Sequence, residues 1–193
     1  MKHLKTNIIA ALDFETTGTD PKTAEIIQIA VVPLGNDLLP LKEAFYTLVR
    51  PEHPESADPA ALVIHGITLE ELEEAPDATK VADLLYEWVR SLKLPVGGKV
   101  IPLVHNYPFE YGFLTAWLGA SMRDELFHYH PRDAMTFALG LNDRAALKGE
   151  ETPFASVGLL DLCQHFHVTN PNPHDALYDS LTEATIYREL LLL

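Results

Sequence analysis

The stretch Asn7-Ile8-Ile9-Ala10-Ala11-Leu12-Asp13-Phe14-Glu15-Thr16-Thr17-Gly18 opens on a continuous apolar run and closes on two acids and a small, polar turn. An apolar run without polar alternation reads as a central strand buried on both faces. Asp13 and Glu15 stand two residues apart, so an extended chain points both carboxylates to one side. Apolar burial does not stabilise two such acids. A hard divalent cation relieves their repulsion, because magnesium and manganese take carboxylate oxygens. Taken alone, a D-x-E at a strand end is more often a pair of acids fanning into water. The following Thr16-Thr17-Gly18 favours a ligand somewhat, since a tight turn of small residues lets one approach backbone amides.

Working outward, Glu25–Val32 and Ala44–Val49 read as second and third strands. The short connections Thr17–Thr23 and Gly35–Leu41 carry Gly, Asp, Asn and Pro, so antiparallel pairing is expected. Arg50–Ala60 holds three prolines and reads as a loop. Thr68 with Glu71 resembles a capping box opening a short acidic helix. Val81, Leu84, Leu85, Trp88, Val89 and Leu92 recur at three- and four-residue steps and predict a helix over Ala78–Leu92. Pro95-Val96-Gly97-Gly98 stops it, and Lys99–Val104 is a fourth strand. Further helices are expected from near Glu110, from near Asp133, over Leu159–Phe166 and over Ala176–Leu191. Asp143–Pro153 reads as a polar loop, and Leu190–Leu193 as an apolar end packing on the core. The pattern describes one α/β domain, residues 1–193, with a mixed sheet.

The 193 residues match the one-domain prior. Apolar residues make up 47% and charged residues 22%, a globular composition. Lys and Arg number 14 against 28 Asp and Glu, a net charge of −14. That balance excludes a protein holding nucleic acid mainly by a basic surface. The single cysteine, Cys163, excludes an intramolecular disulfide framework or a zinc ribbon and suits a reducing compartment. No apolar run approaches the ~20 residues of a membrane span. The N-terminus meets an acid too early for a secretory signal, so a cytoplasmic location away from membranes is expected.

Two more segments carry chemistry. In Val104-His105-Asn106-Tyr107-Pro108-Phe109-Glu110, Glu110 falls near a helix start, where its charge also suits the helix dipole. In His174-Asp175-Ala176-Leu177-Tyr178-Asp179, Asp179 falls on or just past a first helical turn, with His174 on the loop before it. Asp175 and Asp133 read as helix N-caps. His128 with His130, and His165 with His167, have H-x-H spacing without accompanying thiolates or acids, and are assigned to surface or packing.

Read together and in this order, Asp13, Glu15, Glu110, His174 and Asp179 resemble the DEDDh family of 3′→5′ exonucleases. That family includes ribonuclease T, oligoribonuclease-like enzymes and the proofreading subunit of bacterial DNA polymerase III. Its motifs D-x-E-T-T-G and H-x-A-x-x-D are matched in full, and H-N-x-x-F-D-x-x-F-L at every fixed position except that Glu110 replaces Asp. Val63-Ile64-His65-Gly66-Ile67-Thr68 is similar to the family's I-H-G-I-T segment. The match runs from about Asn7 to Leu191.

The resemblance implies a ribonuclease H-like fold, a five-stranded mixed sheet flanked by helices. It implies that Asp13, Glu15, Glu110 and Asp179 hold two divalent cations, Mg or Mn, and that His174 takes the proton of the attacking water. The substrate would be the 3′ end of single-stranded DNA or RNA, and the products 5′-mononucleotides. Phe14, Thr16, Thr17, His65, Asn106 and Tyr107 are the candidate substrate contacts. Phe14, His65 and Tyr107 are candidates for base stacking, each equally at home in a core. The acidic balance predicts a grip on a short end with weak salt dependence. Two alternatives stay open. One is a weakened exonuclease-fold module that binds ends without cutting, with Glu110 as its cause; the other is a proofreading component beside a polymerase. Homodimerisation is likewise open.

Overall fold

The computed structural model describes residues 5–41 and 43–193. Five strands form one mixed sheet in the order β3-β2-β1-β4-β5: β1 Ile8–Thr16, β2 Ile26–Leu34, β3 Phe45–Leu48, β4 Val100–Val104 and β5 Arg132–Asp133. β1 to β3 pair antiparallel, whereas β4 lies parallel to β1 and β5 parallel to β4. The apolar run therefore is the central strand, and it continues three residues past Asp13. β5 is only two residues long, too short for any hydrophobic pattern to announce it.

Seven helices surround the sheet among the described residues: α1 Pro59–His65, α2 Leu69–Leu72, α3 Ala78–Ser91, α4 Tyr107–Leu126, α5 Ala134–Lys148, α6 Leu159–Phe166 and α7 Ala176–Leu190. The capping box of α2 forms as expected, Thr68 and Glu71 bonding each other's backbone amides. Two expectations are corrected. The proline-rich loop ends early, because Asp58 caps and Pro59 opens α1, a position where proline's missing N–H costs nothing. The polar segment from Asp143 stays helical to Lys148, its charges lying on the solvent face, and only Gly149 in a left-handed conformation ends α5. Within α4, Gly119 at φ 68° and ψ 163° breaks the helical path, a conformation that strains any residue with a Cβ. At the C-terminal end, Leu190 is buried but Leu191, Leu192 and Leu193 are exposed, so only the first of the four packs on the core.

Alternation along β1 divides the core. Ala10, Leu12 and Phe14 face α3 and α4, packing with Val81, Leu85, Val89, Phe113 and Leu114. Ala11 faces the other way, with Val32, Leu103 and Ala184 of α7. Asp13 and Glu15 share the face of Ala11, so period-2 geometry turns both acids toward α7. Small residues Ala176, Ser180 and Ala184 recur every fourth position on α7 and are all buried, which lets that helix lie close over β1, β2 and β4. Because β1 and β4 run parallel, their C-terminal ends share one edge of the sheet. α4 departs from that edge and α7 begins there, the location where open α/β sheets place ligands.

Candidate active site

Three distant segments meet at this edge. β1 brings Asp13 and Glu15, the first turn of α4 brings Glu110, and the first turn of α7 brings Asp179. Glu15, Glu110 and Asp179 are 8%, 2% and 9% exposed, an unusual depth for carboxylates. One oxygen or nitrogen from each of Glu15, His174 and Asp179 lies within 4.8 Å of the others. Among the described residues these three are the only metal-ligating group of that kind, so the two H-x-H pairs form none. The rings of His128 and Tyr129 stack instead, and His165 meets Phe154 edge-on.

The electrostatics follow from burial without cations. Desolvation first, and then Glu15, Glu110 and Asp179, hold the Asp13 carboxyl well above the usual carboxylate range. Burial followed by Asp179 and Asp175 pushes Glu15 up to about 8. Burial likewise raises Glu110 well above its ordinary value, and raises Asp179 against the opposing pull of its hydrogen bonds. Among the described residues, none of these acids forms an ion pair with Lys or Arg. Oε2 of Glu110 is buried without a hydrogen-bond partner. Such a set of convergent carboxylate oxygens, one of them orphaned, has the donor chemistry of a hard divalent cation site.

Local structure aims the groups. His174 sits at φ 65°, and its backbone amide donates to Asp179 Oδ2 at 3.0 Å, while Asn170 Nδ2 donates to Asp179 Oδ1. The exposed His174 ring is thereby held over the acids. Asp175 caps α7 through the amides of Leu177 and Tyr178, as its sequence position suggests. Asp133 caps α5 and also accepts the amides of Asn106 and Tyr107, fixing the start of α4.

The expected substrate contacts divide. His65 lies at the site, where its pKa is lowered by burial, with the Thr16 backbone opposing and His174 adding to the fall. Asn106 is exposed at φ 84°, its backbone amide held by Asp133 and its side-chain carboxamide making no capping bond. Tyr107 is half-buried beside Tyr111. Phe14 is corrected: it is 4% exposed within the α3–α4 side of the core and offers no face to a base. The side chains of Thr16 and Thr17 are also buried, Thr16 donating to the Gly18 carbonyl at 2.7 Å and Thr17 accepting the Glu25 amide at 2.9 Å. They build the turn, and the Thr17 backbone is itself bonded to the Glu25 carbonyl and the Asp58 amide.

Sequence reasoning missed Glu183, 1% exposed on α7, whose carboxyl is raised by burial and then by Asp13, Glu110 and Asp179. Its signal was the four-residue step from Asp179, one helical turn along the same face.

Residues 10–187 match the exonuclease family. The chain belongs to that family. This exonuclease is 30% identical over 182 residues to the DNA polymerase III subunit epsilon of Rickettsia felis, covering 93% of the chain and 72% of the relative. It is 25% identical over 201 residues to ribonuclease T of Buchnera aphidicola subsp. Baizongia pistaciae, covering 98% and 86%. Among solved structures, the nuclease domain of 3′hExo, a DEDDh family member, bound to rAMP superimposes with a TM-score of 0.70 at 22% identity, covering 97% of this chain and 92% of that one. Escherichia coli exonuclease I in complex with a dT13 oligonucleotide gives 0.72 at 18% identity, but this exonuclease spans only 40% of that chain. The five-stranded mixed sheet with flanking helices is thus the ribonuclease H-like fold of those enzymes. Among the described residues no helix is long and apolar enough to cross a membrane.

Proposed function

We propose that this chain, acting as one exonuclease domain in the cytoplasm, removes nucleotides from the 3′ end of single-stranded DNA or RNA and releases 5′-mononucleotides. The observation carrying this reading is the convergence of Asp13, Glu15, Glu110 and Asp179 from three separate segments, with His174 beside Glu15 and Asp179. These four carboxylates would hold two divalent cations, Mg or Mn. Bound there, such cations would supply Lewis acidity, acidifying a water and neutralising charge on the departing 3′-oxygen.

The chain's own groups do the rest. Asp13, which has Glu15, Glu110 and Asp179 as its charged neighbours, would hold cations together with them, and Glu15 and Asp179 lie beside His174. His174 Nδ1 or Nε2 takes the proton of the attacking water, since its ring stands within reach of the Glu15 and Asp179 oxygens. Asn170 and the His174 amide keep Asp179 from turning away. His65 and the Asn106 carboxamide flank the terminal nucleotide. Kinship with polymerase III epsilon subunits favours a second reading, in which the same chemistry proofreads beside a polymerase.

A 5′-labelled single-stranded oligonucleotide, offered as matched DNA and RNA with Mg or Mn, tests this. The expected result is a ladder shortening from the 3′ end, lost with Asp13→Ala or excess chelator. Binding without any shortening would instead identify an end-binding module. Co-elution with a polymerase subunit, or its absence, decides the second reading.

A further inference from the structure

Glu183 is a buried carboxylate with one oxygen unused: the His105 backbone amide bonds the carboxyl, and Oε2 bonds nothing. It lies on α7 one turn beyond Asp179, and helical Cα–Cβ bonds tilt toward the N-terminus, so its long side chain reaches back toward the Asp179 turn. Its carboxyl is 1% exposed and feels Asp13, Glu110 and Asp179 as its charged neighbours. Oε2 of Glu183 has no hydrogen-bond partner, and neither does Oε2 of Glu110. A buried acid with a purely structural role would have both oxygens engaged, because an orphaned polar atom costs about 1–3 kcal/mol. Here two such oxygens, from α4 and α7, belong to carboxyls that both feel Asp13, with no Lys or Arg paired to either among the described residues. Five ionised acids carry −5 in this pocket, and a cation pair carrying +4 would leave only −1 among them.

We propose that Glu183 is a fifth carboxylate ligand of the cation centre, which a cation draws together with Glu110 and Asp13, three acids outside the preformed Glu15–His174–Asp179 group. The proposal rests on the exonuclease reading above. It gives the Glu110 substitution a physical sense: the longer side chain reaches a cation that Glu183 helps hold from behind, so that the second site is built by protein before nucleic acid arrives. A Glu at 183 and a Glu at 110 then form one device.

Mn2+ binding, followed by electron paramagnetic resonance and calorimetry without nucleic acid, tests it. The full chain is expected to bind two Mn2+, and E183Q to lose at least ten-fold in affinity for one of them while keeping the other. E183Q in chelator should melt no lower than the parent, because a neutral amide relieves repulsion, and its Mn2+-induced rise in Tm should shrink. E183M, similar in volume and uncharged, should show the same loss and serves if E183Q is poorly folded. Unchanged affinities for both cations in either folded variant would overturn the proposal and leave the exonuclease reading intact. A parent chain that binds no Mn2+ at all would overturn both.

Discussion

The Tyr46 phenol donates a 2.8 Å hydrogen bond to Asp175 Oδ2, joining β3 to the start of α7 across 129 residues of sequence. Gln28 of β2 completes the clamp. Its Nε2 donates to the Tyr46 oxygen at 2.9 Å and its Oε1 accepts the Ala176 amide at 2.8 Å. Gln28 faces Glu15 across the β1–β2 ladder, so one residue ties the strand acids to the helix that carries Asp179.

Removing the phenol as Tyr46→Phe should therefore cost about 1 kcal/mol of stability. It should also lower kcat several-fold with little change in KM, because α7's first turn is positioned by this bond. Gln28→Ala should do more harm, since it leaves the buried Ala176 amide unpaired. Thermal melts and steady-state rates check both; a Tyr46→Phe chain with parental Tm and kcat would show the bond to be idle.

Asp133 serves two helices at once. Its carboxylate accepts the Asn106 amide at 3.1 Å and the Tyr107 amide at 3.2 Å for α4, and the Met135 and Thr136 amides for α5. A lost N-cap costs roughly 0.5–2 kcal/mol, so Asp133→Ala, which removes two, should cost about 1–4 kcal/mol in urea unfolding. Asp133→Asn keeps an acceptor oxygen and should cost about half as much.

The residues that were legible in sequence are those whose local chemistry repeats their structural role. An unbroken apolar run must be a central strand, the Thr68–Glu71 pair must close on itself, and motif acids at strand and helix ends met where the resemblance implied. What stayed hidden depends on which surface becomes covered. Phe14 reads from sequence as a stacking residue or a core one, and nothing in its neighbours says that α3 and α4 roof that face of β1. Glu183 belongs to no motif, and it is buried because Ala176, Ser180 and Ala184 let α7 settle onto the sheet. Gly119's break in α4 left no mark on the apolar spacing, and β5 is shorter than any period.

Stability should depend on pH and on cations in opposite senses. In chelator, the folded chain holds the Glu15 proton up to about 8 against an ordinary value of 4.5, and Asp13, Glu110 and Asp179 are raised in the same direction. The folded state then binds more protons than the unfolded one through that window. Stability is full below about 4.5, declines as pH rises to about 8 and levels off above it. Each raised unit corresponds to about 1.4 kcal/mol, so Tm in chelator should fall by several degrees between pH 6 and pH 9. Mg2+ competes with those protons and should raise Tm more at pH 9 than at pH 6. A flat Tm in chelator would mean the acids are not strained by one another.

Substrate affinity should respond weakly to salt. With 28 acidic residues against 14 basic ones, few side chains are available to neutralise phosphates. For single strands the slope of log K against log salt is about −0.7 per phosphate contact, so a slope shallower than about −2 is expected with catalysis blocked by Asp13→Ala. A steep slope would reveal a basic track that the sequence charge does not suggest.

Glu110 tests how much the site depends on reach rather than charge. It is 2% exposed, and its Oε2 is buried without a hydrogen-bond partner. Glu110→Asp keeps the carboxylate but withdraws it by one methylene, which costs about 1 kcal/mol in lost packing. Its kcat should fall by no more than about ten-fold, with the larger change in the Mn2+ concentration needed for half-maximal rate. Glu110→Gln keeps the length and loses the charge, and its kcat should fall at least a hundred-fold, since a hard cation binds a neutral amide oxygen far less well than a carboxylate. Titrating Mn2+ against rate for the two variants separates the effects. If Glu110→Gln keeps the parental rate while Glu110→Asp loses it, then the side chain acts by filling space, and the carboxylate at 110 has no part in holding the cation.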